Sequence, residues 1–508
     1  MSLPGWLEPL PDAAQMRATD AWAIEEQGVP SLGLMERAGE GLADLVAERV
    51  PRGRIVIVCG KGNNGGDGLV AARLLRQRGR EVDVLCTGPL EDLRGDAKAS
   101  LDRLLGPPPA PFVSPVALEG AAGIVDAVLG TGFAGEPRDP ALSAIRAINA
   151  AGTTVVAADV PSGVDASTGE TAADTVRADA TATFHAAKLG LWVRPGKACA
   201  GEVRVIDIGI PPGAPGAPAA GLIGEGVRSA LPGRGPSSTK FTEGNVVVCG
   251  GSTGLTGAPC LAAEAAQRAG AGYVTAAIPA SLNLIFELRL LEVMSRPLPD
   301  AAGGFTPDAV EPALRALERA DALVLGPGLG RSHGAAEFAR GLAAQAPLPL
   351  LLDADGLNAL DGDLAALSAR SAPTVITPHA GELARLVGAD AAEIGARRVH
   401  HARDAARRSG AVVVLKGDDS LVAAPDGRLG VSAGSTPALA TAGTGDVLSG
   451  VAGALLAKGL DPFTAACAAV WLHAAAGRAA ARAQGRDTVI ASDVIAALGA
   501  ARDAGPAG

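Results

Sequence analysis

Two aspartates stand among glycines near opposite ends of the chain, in Gly62-Asn63-Asn64-Gly65-Gly66-Asp67-Gly68 and in Gly443-Thr444-Gly445-Asp446. Glycine lets backbone amides come close to a ligand, and a helix N-terminus adds about half a positive charge. Each segment therefore predicts an anion site with an acid beside it. Asp446 opens a long apolar helix pattern. There a carboxylate can take a proton from a substrate hydroxyl while free amides stabilise a phosphoryl group in transfer. In the first segment two asparagines add side-chain oxygens and amides to the backbone donors. The segments are too far apart to be one motif, and they predict two phosphate-binding sites in two domains.

Other polar groups follow apolar runs. Asp126, Gly130-Thr131-Gly132-Phe133 and Asp159-Val160-Pro161-Ser162-Gly163 all fall at strand ends in the first half. Asn64, Asp126 and Ser162 offer oxygen ligands to a hard cation, and Asp159 a proton shuttle. In the second half, Lys416-Gly417-Asp418-Asp419-Ser420 is expected to meet nucleotide phosphates or ribose. Thr377-Pro378-His379-Ala380-Gly381-Glu382 places Glu382 to hold a magnesium-bound water. Gly326-Pro327-Gly328-Leu329-Gly330 and Asp353-Ala354-Asp355-Gly356-Leu357-Asn358 close two further strands.

The elements that must position these groups alternate. Arg54–Cys59, Glu81–Cys86, Ile124–Leu129 and Thr153–Ala158 read as buried strands, with Leu69–Leu75 as a helix after the glycine loop. Such alternation implies an α/β fold with a parallel sheet, helices on both faces and ligands beyond the carboxyl ends of the strands. A proline- and glycine-rich stretch, Ile210–Pro218, predicts a linker, with domains over 1–225 and 226–508. Strands restart at Asn245–Cys249 and continue through Ala322–Leu325, Pro349–Leu352, Pro373–Ile376 and Ala411–Leu415; helices over Asp446–Ala457 and Thr464–Ala480 follow. At 508 residues, 48% hydrophobic and 19% charged, the chain is long enough for two cores. A net charge of −10 opposes nucleic-acid and membrane-surface roles. No apolar run reaches the ~20 residues of a membrane span. Without a signal-peptide core or a CxxC pair, a cytoplasmic protein is expected, with Cys59, Cys86 and Cys249 as core residues.

The first constellation resembles the NAD(P)H-hydrate epimerase (YjeF N-terminal) family over roughly residues 10–215. The motifs that carry it are Gly62–Gly68, Asp126-Ala127-Val128-Leu129-Gly130-Thr131-Gly132 and Asp159–Gly163. The resemblance implies a Rossmann-like three-layer fold that interconverts the R and S epimers of hydrated NADH or NADPH. It implies substrate contacts from Asn63, Asn64, Gly65, Gly66, Asp67, Gly130, Thr131, Gly132, Phe133, Ala134, Gly135, Glu136 and Asp159. Potassium would sit on Asn64, Asp126 and Ser162, Asp159 would be catalytic, and Lys188 would assist.

The closing GxGD resembles the ribokinase-like superfamily. The Pro-His-x-Gly-Glu form around His379 is similar to its ADP-dependent NAD(P)H-hydrate dehydratase branch, over roughly 230–500. That likeness implies a ribokinase-like α/β domain in which Ala258, Gly330, His379 and catalytic Asp446 contact the hydrate. Lys416, Gly417, Asp418, Asp419, Ser420 and Gly445 would hold the nucleotide. Ser420, where the family often has threonine, and the acidic Asp418-Asp419 pair depart from the pattern. Together the resemblances imply a repair enzyme, magnesium-dependent and homo-oligomeric, acting on NADHX and NADPHX with ADP, which becomes AMP and phosphate. A ribokinase-like kinase of a hydroxylated vitamin or sugar is the alternative, opposed by His379 where those kinases carry asparagine. A partner-binding scaffold of the same N-terminal fold is opposed by Asn64, Asp67, Asp126, Asp159 and Ser162.

Overall fold

The computed structural model describes residues 3–503. They form two compact units, Pro9–Gly221 and a second containing Leu3–Glu8 together with the chain from Leu222 onward. A boundary between 225 and 226 was expected from sequence; the division falls between Gly221 and Leu222, and the first residues belong with the second unit. Leu7 is buried in that unit's core, with Leu3 and Trp6 packed against the same cluster.

The first unit holds a seven-stranded sheet. Its order is Ala110–Pro111, Val82–Cys86, Ile55–Cys59, Gly123–Ala127, Thr154–Ala158, Ala180–Phe184, Glu202–Ile206, with parallel pairing throughout. Alternate residues of the central strand face opposite layers, as a pleated strand requires. Ile55, Ile57 and Cys59 pack with the helices Ser31–Arg49 and Asn63–Gln77, while Val56 and Val58 pack with Ala141–Ala150. The strand order reverses between Ile55–Cys59 and Gly123–Ala127. That switch opens a crevice beyond the strand ends, where such sheets take their ligands.

The second unit has an eleven-stranded sheet whose order runs Glu8–Pro9, Ala220–Ile223, Leu429–Ser432, Leu421–Ala423, Val412–Leu415, Thr374–Ile376, Leu350–Leu352, Ala322–Leu325, Asn245–Cys249, Tyr273–Pro279, Met294–Leu298. From Val412–Leu415 to Met294–Leu298 the pairs are parallel; Val412–Leu415, Leu421–Ala423 and Leu429–Ser432 form an antiparallel meander. Here the reversal lies between Asn245–Cys249 and Ala322–Leu325. Helices Gly257–Arg268, Thr444–Ala457 and Pro462–Gln484 supply small and aliphatic side chains to one large core. Both units are therefore α/β assemblies on a parallel sheet, as the strand-helix alternation predicts, the second extended by the antiparallel meander.

Candidate functional site

Asn63–Gly68 are not a loop preceding a helix at Leu69. They are the first turns of the helix Asn63–Gln77, which starts from Gly62. Glycine costs a helix about 1 kcal/mol relative to alanine, and here proximity explains it. A Cβ on Gly65 would lie 2.0 Å from the Gly60 carbonyl oxygen, one on Gly66 2.7 Å from the Met35 methyl, and one on Gly68 2.8 Å from the Ala127 methyl. The glycines let this helix start against the sheet, pointing its free amides into the crevice.

A cavity of about 1060 Å³ fills that crevice. Asn63, Asn64, Asp67, Gly130–Ala134, Glu136 and Asp159 line it, whereas Gly65, Gly66 and Gly135 lie outside its wall. Behind the wall Asp126 and Ser162 are completely buried and satisfy each other. Ser162 donates its hydroxyl to Asp126 Oδ1 at 2.6 Å and its amide to Oδ2 at 2.8 Å, and Leu129 N–H donates to Ser162 Oγ at 2.8 Å. Burial pushes the Asp126 carboxyl up to about 6, opposed by the hydrogen bonds from Ser162 and Val128. Asn64 differs: both polar atoms of its amide are buried without a hydrogen-bond partner. Its Oδ1 lies 3.2 Å from where a Cβ on Gly130 would sit, next to Leu129. An unpartnered buried amide beside an anionic, hydroxyl-bearing nook fits an oxygen-liganded cation, because an orphaned polar group otherwise costs about 1–3 kcal/mol.

Asp159 follows Thr154–Ala158 with φ of 64°, a left-handed conformation that aspartate tolerates better than most residues. Its Oδ2 accepts from the Thr131 amide at 3.1 Å and from the Thr131 hydroxyl. Its Oδ1 accepts from Lys188 Nζ at 2.7 Å. Lys188 is 1% exposed and also donates to Thr183 Oγ1 and the Phe184 carbonyl. Burial would raise the Asp159 carboxyl, but the Lys188 charge and the hydrogen bonds hold it below its ordinary value. Asp67 faces the same pair and moves the other way. Burial pushes it well above the carboxylate range, Asp159 adding and Lys188 opposing. Carboxyls of opposite proton affinity thus share one cavity, the arrangement acid–base chemistry needs. Asp20, from the helix Ala13–Glu25, also lines the cavity. No local motif marks it, so sequence reading missed it.

In the second unit the helix Thr444–Ala457 begins at Gly443, whose φ of 87° no β-branched residue would adopt readily. A Cβ there would also lie 2.6 Å from Leu261 Cδ1. Asp446 sits in the first turn. Burial pushes its carboxyl up to about 7, Asp353 adding and Lys416 opposing. Lys416 Nζ donates to Asp353 Oδ1 at 2.9 Å, lies 3.7 Å from Glu382 Oε2, and stands 3.7 Å from where a Cβ on Gly445 would be. Its charge therefore meets the helix N-terminus. Burial would lower this ammonium, yet Asp353 and Glu382 hold it above its ordinary value. Asp353 is fixed further by Ser449, one turn beyond Asp446, at 2.6 Å. At sequence level Asp353 is only a strand-end acid and Ser449 carries no signal.

His379 caps the helix Ala380–Val387. Its Nδ1 accepts from the Gly381 amide at 3.0 Å, and Glu382 Oε2 accepts the His379 amide at 2.8 Å. Glu382, expected to hold a magnesium-bound water, is already engaged by this capping box and by Lys416. The His379 side chain is exposed, and its Nε2 lies 3.6 Å from Glu382 Oε1. Gly330 donates its amide to Asp355 Oδ2 at 3.0 Å, and a Cβ on it would lie 3.0 Å from Ser252 Oγ. Ala258 stands in the first turn of Gly257–Arg268, its Cβ 3.2 Å from a Cβ built on Gly328. The Gly326–Gly330 loop thereby links the start of that helix to Asp355, whose charge reaches Asp446.

Asp418–Ser420 form the turn between Val412–Leu415 and Leu421–Ala423. Asp419 was expected beside nucleotide phosphates. Its side chain instead points inward, buried, and accepts from Arg398 Nε at 3.0 Å. Ser420 Oγ donates to the Gly417 carbonyl at 2.8 Å and accepts its amide at 3.1 Å, shaping the turn. The acidic character read from the sequence is thus partly cancelled inside the fold.

Two α/β units, each with an acid and a lysine gathered at a glycine-rich helix start, define a protein with two anion-binding, acid–base centres. The model for the YjeF-related protein N-terminus matches residues 31–190, and the model for NAD(P)H-hydrate dehydratase matches 246–499. The bifunctional NAD(P)H-hydrate repair enzyme Nnr of Moorella thermoacetica is 41% identical over 501 residues, covering 95% of this chain and 94% of that one. That of Salinibacter ruber is 40% identical over 524 residues, covering 96% and 95%. Among solved structures, the ADP/ATP-dependent NAD(P)H-hydrate dehydratase of Bacillus subtilis, co-crystallised with ATP and Mg2+, is 29% identical with a TM-score of 0.48 over 55% of this chain and 95% of that one. The chain belongs to the bifunctional NAD(P)H-hydrate repair enzyme family.

Proposed function

We propose that the chain epimerises R- and S-NAD(P)HX in its first unit and dehydrates S-NAD(P)HX to NAD(P)H in its second. ADP is the phosphoryl donor and is left as AMP and phosphate. The observation that carries this is the Asp446 carboxyl at an open helix N-terminus beside the Lys416–Asp353 pair. Asp446, in its ionised form, removes the proton from the hydrate's hydroxyl. The Gly443–Gly445 backbone and the Lys416 charge stabilise the phosphoryl group as it moves. The ring nitrogen's lone pair then expels phosphate to give an iminium, and loss of a proton from the neighbouring ring carbon to solvent or phosphate restores the dihydropyridine.

His379, Gly330 and Ala258 are assigned to the hydrate, and Lys416–Ser420 with Gly445 to the nucleotide; Asp419 contributes through its backbone. Magnesium suits this site because Asp446 already feels Asp353 and Asp355, an excess of negative charge that a nucleotide would increase. Bound through the phosphates, it would neutralise charge there. Among the described residues no group of three or more His, Cys, Asp or Glu could hold a metal by itself.

In the first unit the substrate's hydroxyl carbon also bears the ring nitrogen, making a hemiaminal whose configuration inverts through reversible opening. Asp159 is the acid/base, with Lys188 holding it ionised, and potassium is assigned to Asn64, Asp126 and Ser162. No helix among the described residues is long and apolar enough to cross a membrane. A cytoplasmic homo-oligomer remains our reading.

The test is recovery of reduced-nicotinamide absorbance from a mixture of both NADHX epimers with Mg-ADP or Mg-ATP. Full recovery is expected. Recovery stopping at the S fraction would remove the epimerase assignment, and no recovery with either nucleotide would favour a vitamin or sugar kinase.

A further inference from the structure

The helix Ala13–Glu25 lies ahead of the region matched by the N-terminal family model, yet it forms one wall of the first unit's cavity. Met16, Arg17, Asp20 and Ile24 recur at helical spacing and all face that space. Asp20 is the acid among them, half-buried. The charges that bear on it are Asp159 and Lys188, just beyond the far strands, and Asp67 from the glycine-rich helix; Arg17 on its own helix and Lys61, Asp92, Asp96, Glu136, Arg138 and Asp139 line the same cavity. Asp159 is committed to Lys188 and Thr131, and Asp67 lies deeper.

We propose that Asp20 is the proton donor of the epimerase site, working opposite Asp159. This rests on the epimerase reading above. Asp159 takes the proton of the hemiaminal hydroxyl, the O–H pair becomes the second C–O bond, and the C–N bond breaks with its pair on nitrogen. Asp20 delivers its proton to that nitrogen. The aldehyde turns about its single bond and the nitrogen attacks its other face. Asp20 recovers the proton from nitrogen and Asp159 returns its own to oxygen, so nothing is consumed. Burial pushes the Asp20 carboxyl up to about 6, Lys188 opposing and Asp159 adding, so the donor form persists close to neutrality.

The experiment measures R-to-S conversion against pH in the full-length protein, corrected for the enzyme-free rate, with dehydration of pure S-NADHX as a control on the same preparation. Wild-type conversion should fall as pH rises past about 6. Asp20→Asn should lose at least ~100-fold and the descending limb with it, while dehydration of the S epimer continues. Asp20→Glu should keep a descending limb with a shifted midpoint, which covers the case of a poorly folded Asn variant. An Asn variant with the wild-type rate and limb, or a Glu variant with an unmoved limb, overturns the proposal. A wild-type chain that never converts R to S overturns the epimerase reading itself.

Discussion

Lys188 and Asp159 meet at 2.7 Å, the ammonium almost fully buried and the carboxylate also held by Thr131. The pair explains how a buried aspartate stays ionised. Removing one partner leaves an uncompensated buried charge, which costs about 3–5 kcal/mol. Lys188→Met should lower the urea midpoint of the first unit and abolish R-to-S conversion. Dehydration of pure S-NADHX should persist. Unchanged conversion would strip both residues of their assigned roles.

Asp446 must lose its proton to act, and burial raises its carboxyl to about 7. The dehydration rate should climb about tenfold per pH unit below 7 and level above it. Asp446→Asn should cost about 10²–10⁴-fold and flatten that limb, with epimerisation intact. A pH-rate profile on S-NADHX with saturating Mg-ADP checks both.

Asp419 and Arg398 form an interior ion pair at 3.0 Å. Asp419→Ala should therefore act on stability, by about 3–5 kcal/mol, more than on the KM for ADP. Thermal unfolding beside ADP titration separates the two. A large KM change at unaltered stability would give the Asp419 side chain a part in the nucleotide site.

Asn64 presents a buried amide with no partner. If it ligates a cation, Tm should rise with KCl and not with tetramethylammonium chloride, the gain being about 2.7 kcal/mol at a hundredfold excess over Kd. Asn64→Ala should abolish that salt-specific shift. An equal shift in the variant would place the cation elsewhere.

The central strands were legible because each is a short, fully buried β-branched or leucine run, such as Ile55–Cys59 and Leu350–Leu352. Tyr273–Pro279 was not, since its alanines and threonine dilute the pattern. The acids and glycines of both centres were visible because strand ends collect them. The helical start at Asn63 was hidden, as its glycines answer to Gly60 and Met35 rather than to local propensity. Equally hidden were the inward turn of Asp419, set by Arg398, and the place of Asp20, set by how a helix far upstream packs. Tertiary partners decide such features, and no window of sequence contains them.

The placement of Leu3–Glu8 within the second unit has a consequence for synthesis. The stretch Pro9–Gly221 can close its own sheet while the remainder is still being translated. Leu7 cannot yet be buried, because the core that receives it includes Val447, Phe463 and Leu498. Residues made ahead of the first unit are thus among the last to settle, held by helices of the second unit made long after it. Any truncation after Gly221 would leave Leu7 without the core that buries it.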